Sequence, residues 1–170
     1  MTYSIIGILA SLILLITNRD ILWNRETAAA GIVSGTGTDR TPESQRAYRL
    51  FLFGVLAYYL TDAFWGILEA HRLTTLLFID TTLYFIAMAA AVMLWTRYVI
   101  SYLERNDRFE RFLYWAGLVF LIAEIILVAI NIFVPVMFAF DETGAYHALP
   151  ARYVTLLIQI LLFLLTSAYT

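Results

Sequence analysis

Apolar residues along the chain fall into five long runs, separated by four polar or charged breaks. The first run covers about 2–17 and reaches toward "ILW" at 21–23. The others cover about 48–70, 75–99, 112–138 and 151–169. Runs two to four have the ~20 residues that crossing a bilayer needs. The first is short, which fits modest tilt or a thin local bilayer. Backbone that faces lipid must satisfy its own hydrogen bonds, so each run is predicted to be helical. The expected fold is all-α, a polytopic membrane bundle of five transmembrane helices in a single domain over residues 1–170. The helices are placed at about 2–22, 42–71, 75–103, 110–138 and 150–170. Thr41-Pro42-Glu43 is a good start for the second: Thr as N-cap, Pro at the first helical position, an acid in the first turn.

The breaks set an orientation. Arg19, Arg25, Arg40, Arg46 and Arg49 fall in or flank the first, and Arg97, Arg105, Arg108 and Arg111 the third. The second and fourth hold only Arg72 and Arg152. The positive-inside rule then puts the first and third breaks in the cytoplasm and the N-terminus outside. The N-terminus lacks the basic region of a secretory signal and reads as an uncleaved span.

Composition supports the membrane assignment. The chain is 62% hydrophobic and 16% aromatic, with a mean hydropathy of +0.79, above the usual half-apolar content of globular domains. It has no cysteine and no lysine. That excludes a disulfide framework, a thiolate metal site, a Cys nucleophile, a Schiff-base lysine and a P-loop lysine. The net charge of −2 says little, because charge distribution over loops matters more here. The arginines are scattered rather than striped, so no nucleic-acid partner is expected. "SGTGTD" at 34–39 is only superficially a phosphate loop, since no GK[ST] follows, and reads as flexible linker.

The chemistry lies in the polar positions inside the runs. An ionisable side chain at membrane depth is costly and usually faces the bundle interior. At ~1.5 Å per residue, Asp62 lies roughly 12 Å from the outer end of helix two and Asp80 roughly 8 Å into helix three. Asn131 and Gln159 fall at similar depth on helices four and five, and Glu124 lies one to two turns deeper. Tyr58, Asp62, Trp65 and Glu69 form one stripe of helix two. Asp80, Tyr84 and Met88 form another on helix three. Arg152, Thr155, Gln159, Leu162 and Thr166 share one face of helix five.

Two readings compete for this layer. In one, it lines an outward-facing pocket for a small polar or cationic ligand, with Tyr58, Trp65 and Tyr84 as aromatic walls. In the other, the acids hydrogen-bond across helices while Asn131 and Gln159 act as polar glue. Glu124 is a candidate for a proton-linked role or for a packed neutral acid. Other features favour packing: Ala87 and Ala91, and Gly7 and Ser11, are spaced for close helix approach. Trp95, Tyr98, Tyr102, Tyr114 and Trp115 read as an aromatic belt. Asp141, Glu142 and His147 in "FDETGAYHALP" fit no helical metal-ligand spacing, and this loop is the more natural lid. No metal site or catalytic set is expected, and no motif names a cofactor.

The stretches "GVLAYYLTDAFWGILE", "DTTLYFIAMAAAVMLWTRYVISYLE" and "ARYVTLLIQILLFLLTSAYT" resemble the N-terminal multi-helix membrane modules of bacterial, mainly Firmicutes-type, sensor proteins. In those proteins the module precedes a cytoplasmic GGDEF diguanylate cyclase or histidine kinase. The resemblance implies input sensing in the bacterial cytoplasmic membrane, without enzymatic activity in this chain. It also implies the lipid bilayer, a second copy or an output domain, and a small-molecule ligand as partners. Ending in apolar sequence at "LLTSAYT", the chain is expected to be part of a larger protein or a truncated one. The expected ligand residues are Asp62 and Asp80 to bind or polarise, Tyr58, Trp65 and Tyr84 to pack, Asn131 and Gln159 to orient, and Glu69 at the mouth. A cation or proton-coupled transporter or channel using Asp62, Asp80 and Glu124 is the alternative, and a structural assembly subunit is a third.

Overall fold

The computed structural model describes residues 2–17, 42–103 and 107–169. Five helices carry the fold: α1 (Thr2–Thr17), α2 (Pro42–Ala70), α3 (Thr74–Leu103), α4 (Arg108–Phe133) and α5 (Pro150–Tyr169). A two-stranded antiparallel hairpin, β1 (Phe138–Phe140) and β2 (Tyr146–Ala148), sits between α4 and α5. The predicted cap Thr41, the "SGTGTD" stretch and Arg19, Arg25, Arg40 and Arg105 lie outside the described residues. The extension of the first helix to 22 lies there too.

Partner residues show an up-and-down arrangement. Ser4 meets Asp62 and Gly7 meets Tyr59, so α1 runs antiparallel to α2. Tyr58 meets Tyr84, Phe51 meets Trp95 and Tyr48 meets Tyr98, so α2 runs antiparallel to α3. Gly117 faces Met93 across α3 and α4, and Phe109 packs on Tyr169 across α4 and α5. Trp95 and Tyr98 therefore pack inward on α2, whereas Trp115 of the expected belt is exposed. Small residues permit these approaches as expected. A methyl at Gly7 would collide with the Tyr59 ring, and one at Gly54 would lie 3.7 Å from the Ala91 Cα. Ser11 is buried on the same side of α1.

The central element is α3. It supplies Phe85 and Met88 to one apolar cluster, with Val128, Met137 and Phe138, and Ala89 and Val92 to another, with Phe120 and Leu162. The outward faces are apolar as well. On α4, Ile122, Ile126, Ile130 and Phe133 are exposed at helical spacing, a stripe far beyond what a water-facing surface carries. α2 from Glu43, α3, α4 and α5 are long and apolar enough to cross a membrane, and α1 is a shorter apolar helix. The molecule is all-α apart from the hairpin and has the makings of a multi-pass membrane protein.

Helix four ends at Phe133, not at 138. Pro135 disfavours helical backbone at the residue before it, and Val134 is extended, with φ −136° and ψ 118°. The apolar residues beyond it form β1 instead. Met137 and Phe138 are fully buried in the core, so hydrophobicity continued where the helix did not.

The start of α4 is fixed by Asp107. Its side chain accepts a hydrogen bond from the Glu110 amide at 2.8 Å, a standard N-cap. The same carboxylate accepts from the Tyr169 hydroxyl at 3.0 Å, which ties the far end of α5 to the beginning of α4.

Candidate functional site

At the hairpin end of the bundle a cavity of about 260 Å3 is lined by Asp62, Trp65, Thr81, Tyr84, Phe85, Tyr146 and Arg152. Helical spacing builds three of its walls. Asp62 and Trp65 are three apart on α2, and Thr81, Tyr84 and Phe85 occupy one turn of α3. Arg152 sits in the first turn of α5, and Tyr146 comes from β2.

The aromatic residues form a connected wall. The Tyr58 and Tyr84 hydroxyls are 3.2 Å apart, and their ring centroids are 5.0 Å apart. Trp65 meets Tyr146 edge-on at 6.4 Å. Tyr146 stacks on buried Phe138 at 6.1 Å and carries the Arg152 guanidinium at 5.2 Å from its ring centre, a cation–π distance. Burial raises the Tyr146 phenol pKa above its ordinary value, with the nearby Arg152 charge opposing the shift.

Asp62 accepts a hydrogen bond from the hydroxyl of Ser4, which is buried on α1. Thr81 donates to its own helix at the Leu77 carbonyl, 2.7 Å away, so it contributes shape more than a free donor. Asp62 and Arg152 are the two charged side chains lining the cavity.

The expected site residues divide. Asp62, Trp65 and Tyr84 line the cavity, and Tyr58 backs it through Tyr84. Asp80 is buried beside them, an electrostatic neighbour of Asp62, with its Oδ2 unpartnered. Glu69 is exposed and outside the lining. Glu124 is completely buried with both carboxyl oxygens unpartnered, and Gln159 is half-buried with an unpartnered Oε1. Neither lines the cavity.

Asn131 has a different position from the expected ligand contact. Its Oδ1 accepts from the amides of Val136, Met137 and Phe138 at 2.8, 2.7 and 3.2 Å, and its Nδ2 donates to the Phe138 carbonyl at 3.0 Å. The side chain replaces the backbone partners that the interrupted helix lost. It also borders a second, mostly apolar cavity of about 460 Å3 between α3, α4 and β1.

The sequence pattern missed Ser4, Thr81, Phe85, Tyr146 and Arg152. Arg152 counted toward orientation and toward one face of helix five with Gln159, but not as a ligand contact. Tyr146 and Ser4 carry no signal in the sequence, because a hairpin and an interhelical contact bring them in.

The loop with Asp141 is a built turn. Asp141 Oδ1 accepts from the Thr143 hydroxyl at 2.6 Å and from the Thr143 and Ala145 amides, both at 2.9 Å. Its Oδ2 lies 2.9 Å from His147 Nε2. Gly144, at φ 83°, supplies the left-handed residue that closes the turn. The Thr143 hydroxyl, then His147, then the Ala145 amide hold the Asp141 carboxyl well below the usual carboxylate range. A depressed folded pKa adds stability that is fully present above the unfolded value near ~3.9 and drains as pH falls through the folded value. Acidification from pH 7 to 5 is therefore expected to leave the turn intact. Amide chemical shifts of Thr143 and Ala145, followed by NMR through that range, test this. A transition above pH 5 that vanishes in Asp141→Asn would contradict it.

Comparison of the chain with family models, curated proteins and solved structures finds no match.

Proposed function

We propose that the chain is the membrane-embedded input module of a bacterial signalling protein, lodged in the cytoplasmic membrane with its N-terminus outside. A small ligand binds at the hairpin end, which in this orientation is the outer half of the bundle. The observation that carries the reading is the cavity itself. It gathers Asp62, Trp65 and Tyr84 with Tyr146 and Arg152, a concave aromatic site with few convergent polar groups. The hairpin wall is joined through Asn131 to α4 and leads directly into α5. Occupancy that favours one arrangement of these elements would bias the helix ends on the cytoplasmic side, provided that the two states differ in affinity.

Equilibrium binding of membrane-impermeant metabolites to right-side-out vesicles tests this. Binding is expected from the outer side and should weaken at least tenfold in Asp62→Asn and in Trp65→Ala. A broad panel without any binder defeats the sensor reading. The unpartnered, fully buried Glu124 favours a second reading, proton-coupled transport. Proton flux in liposomes that Glu124→Gln abolishes would put transport first.

A further inference from the structure

We infer that the ligand of this cavity is a small zwitterion of the amino-acid type, its ammonium on Asp62 and its carboxylate on Arg152. The inference rests on the ligand-binding reading above and specifies what the site takes.

The cavity holds one acid and one base that do not neutralise each other. Asp62 and Arg152 form no ion pair with each other, so their charged atoms stand farther apart than 4.0 Å. Tyr84 lines the same cavity within the field of both. The two opposite charges, each half-buried in a cleft walled by aromatic rings, present two separate poles to a ligand. A ligand with a single charge satisfies one and strands the other. A zwitterion meets both together.

Each pole has capacity to spare. Asp62 takes the Ser4 hydroxyl on Oδ2, and its Oδ1 has no hydrogen bond among the described residues. An ammonium offers three donors, one for that oxygen, while its remaining charge can rest on the Trp65 and Tyr84 faces. The Arg152 guanidinium lies 5.2 Å from the Tyr146 ring centre. A guanidinium has five donors in a planar fork, so an edge remains for a bidentate carboxylate. Arg152 also stands in the first turn of a 20-residue helix, whose positive dipole end favours an anion there. The volume of about 260 Å3 lies just under the ~300–1,000 Å3 of sites for drug-sized ligands, which limits the ligand to a small molecule.

The test uses the purified full chain in lipid nanodiscs. Calorimetric titration is run with the proteinogenic amino acids, glycine betaine and γ-aminobutyrate, then with the amide, the N-acetyl derivative and the decarboxylated amine of the best binder. The zwitterion is expected to bind at least tenfold more tightly than any derivative lacking one charge. Arg152→Gln should bring the amino acid and its amide to equal affinity, and Asp62→Asn should do the same for the amino acid and its N-acetyl form. Arg152→Lys keeps the charge and should retain part of the preference, which separates recognition from misfolding. If plain amines bind as tightly as amino acids and Arg152→Gln changes nothing, the ligand is a cation. The inference then fails while the ligand-binding reading stands. If neither zwitterions, amines nor carboxylates bind, both fall.

Discussion

Asn131→Ala is expected to be the most damaging single change in the molecule. One buried side chain serves three amides and one carbonyl of the segment between α4 and β1. Alanine leaves those groups without a partner at a place where Met137 and Phe138 are fully buried. Each stranded buried group costs about 1–3 kcal/mol. Partial relaxation of the strand still leaves a loss of about 3 kcal/mol or more. The loss should appear in thermal or SDS-induced unfolding in detergent, with faster amide exchange at Val136–Phe138. Asn131→Asp keeps the acceptor and removes the donor, so it should fall between the two. An unchanged melting temperature for the alanine variant would refute this account of the turn.

Glu124→Leu is expected to act in the opposite direction. The carboxyl is wholly buried and neither oxygen has a hydrogen-bond partner. One helical turn to either side are the core residues Phe120 and Val128. An unpaired polar group in such surroundings costs about 1–3 kcal/mol on the scale of protein substitutions. Leucine of similar volume removes that cost, so the variant should resist SDS and heat better than the parent. Glu124→Gln keeps a polar head in the same place and should gain less. A residue kept at the expense of stability is commonly kept for function, so the stabilised variant is also the one to assay for lost signalling or proton flux. If Glu124→Leu unfolds more readily than the parent, the carboxyl is held by a partner and the premise is wrong.

Much of the helical architecture was legible because its signal is long. Runs of ~20 apolar residues allow little besides helix, and the starts at Pro42 and Pro150 carry their own markers. The small residues Gly7, Ser11 and Ala91 lie at close contacts or buried faces, as their spacing implied. The hairpin was not legible. Its strands have three residues each, too short for alternation to register. The apolar "VMFAF" looked like more helix because burial in a strand and burial in a helix select the same residues.

The site was half legible for the same reason. Asp62, Trp65 and Tyr84 lie on long helices, where spacing reveals a common face. Arg152 and Tyr146 reach the cavity only because the hairpin returns the chain over it. Asn131 showed its depth in the sequence but not its partner. A lone buried amide fits a ligand contact and a backbone clamp equally well, and the nearby Pro135 was the clue to the clamp.

The contact between Ser4 and Asp62 spans 58 residues of sequence, and its order along the chain has a consequence for biogenesis. Synthesis runs from the N-terminus, so α1 is complete before Asp62 leaves the ribosome. The hydroxyl that will receive the acid already exists when the acid needs it. With the helices in a bilayer as proposed, a version of the gene that begins after α1 would leave Asp62 there without its Ser4 donor. In that proposed setting the first helix would act as an intramolecular escort for the second.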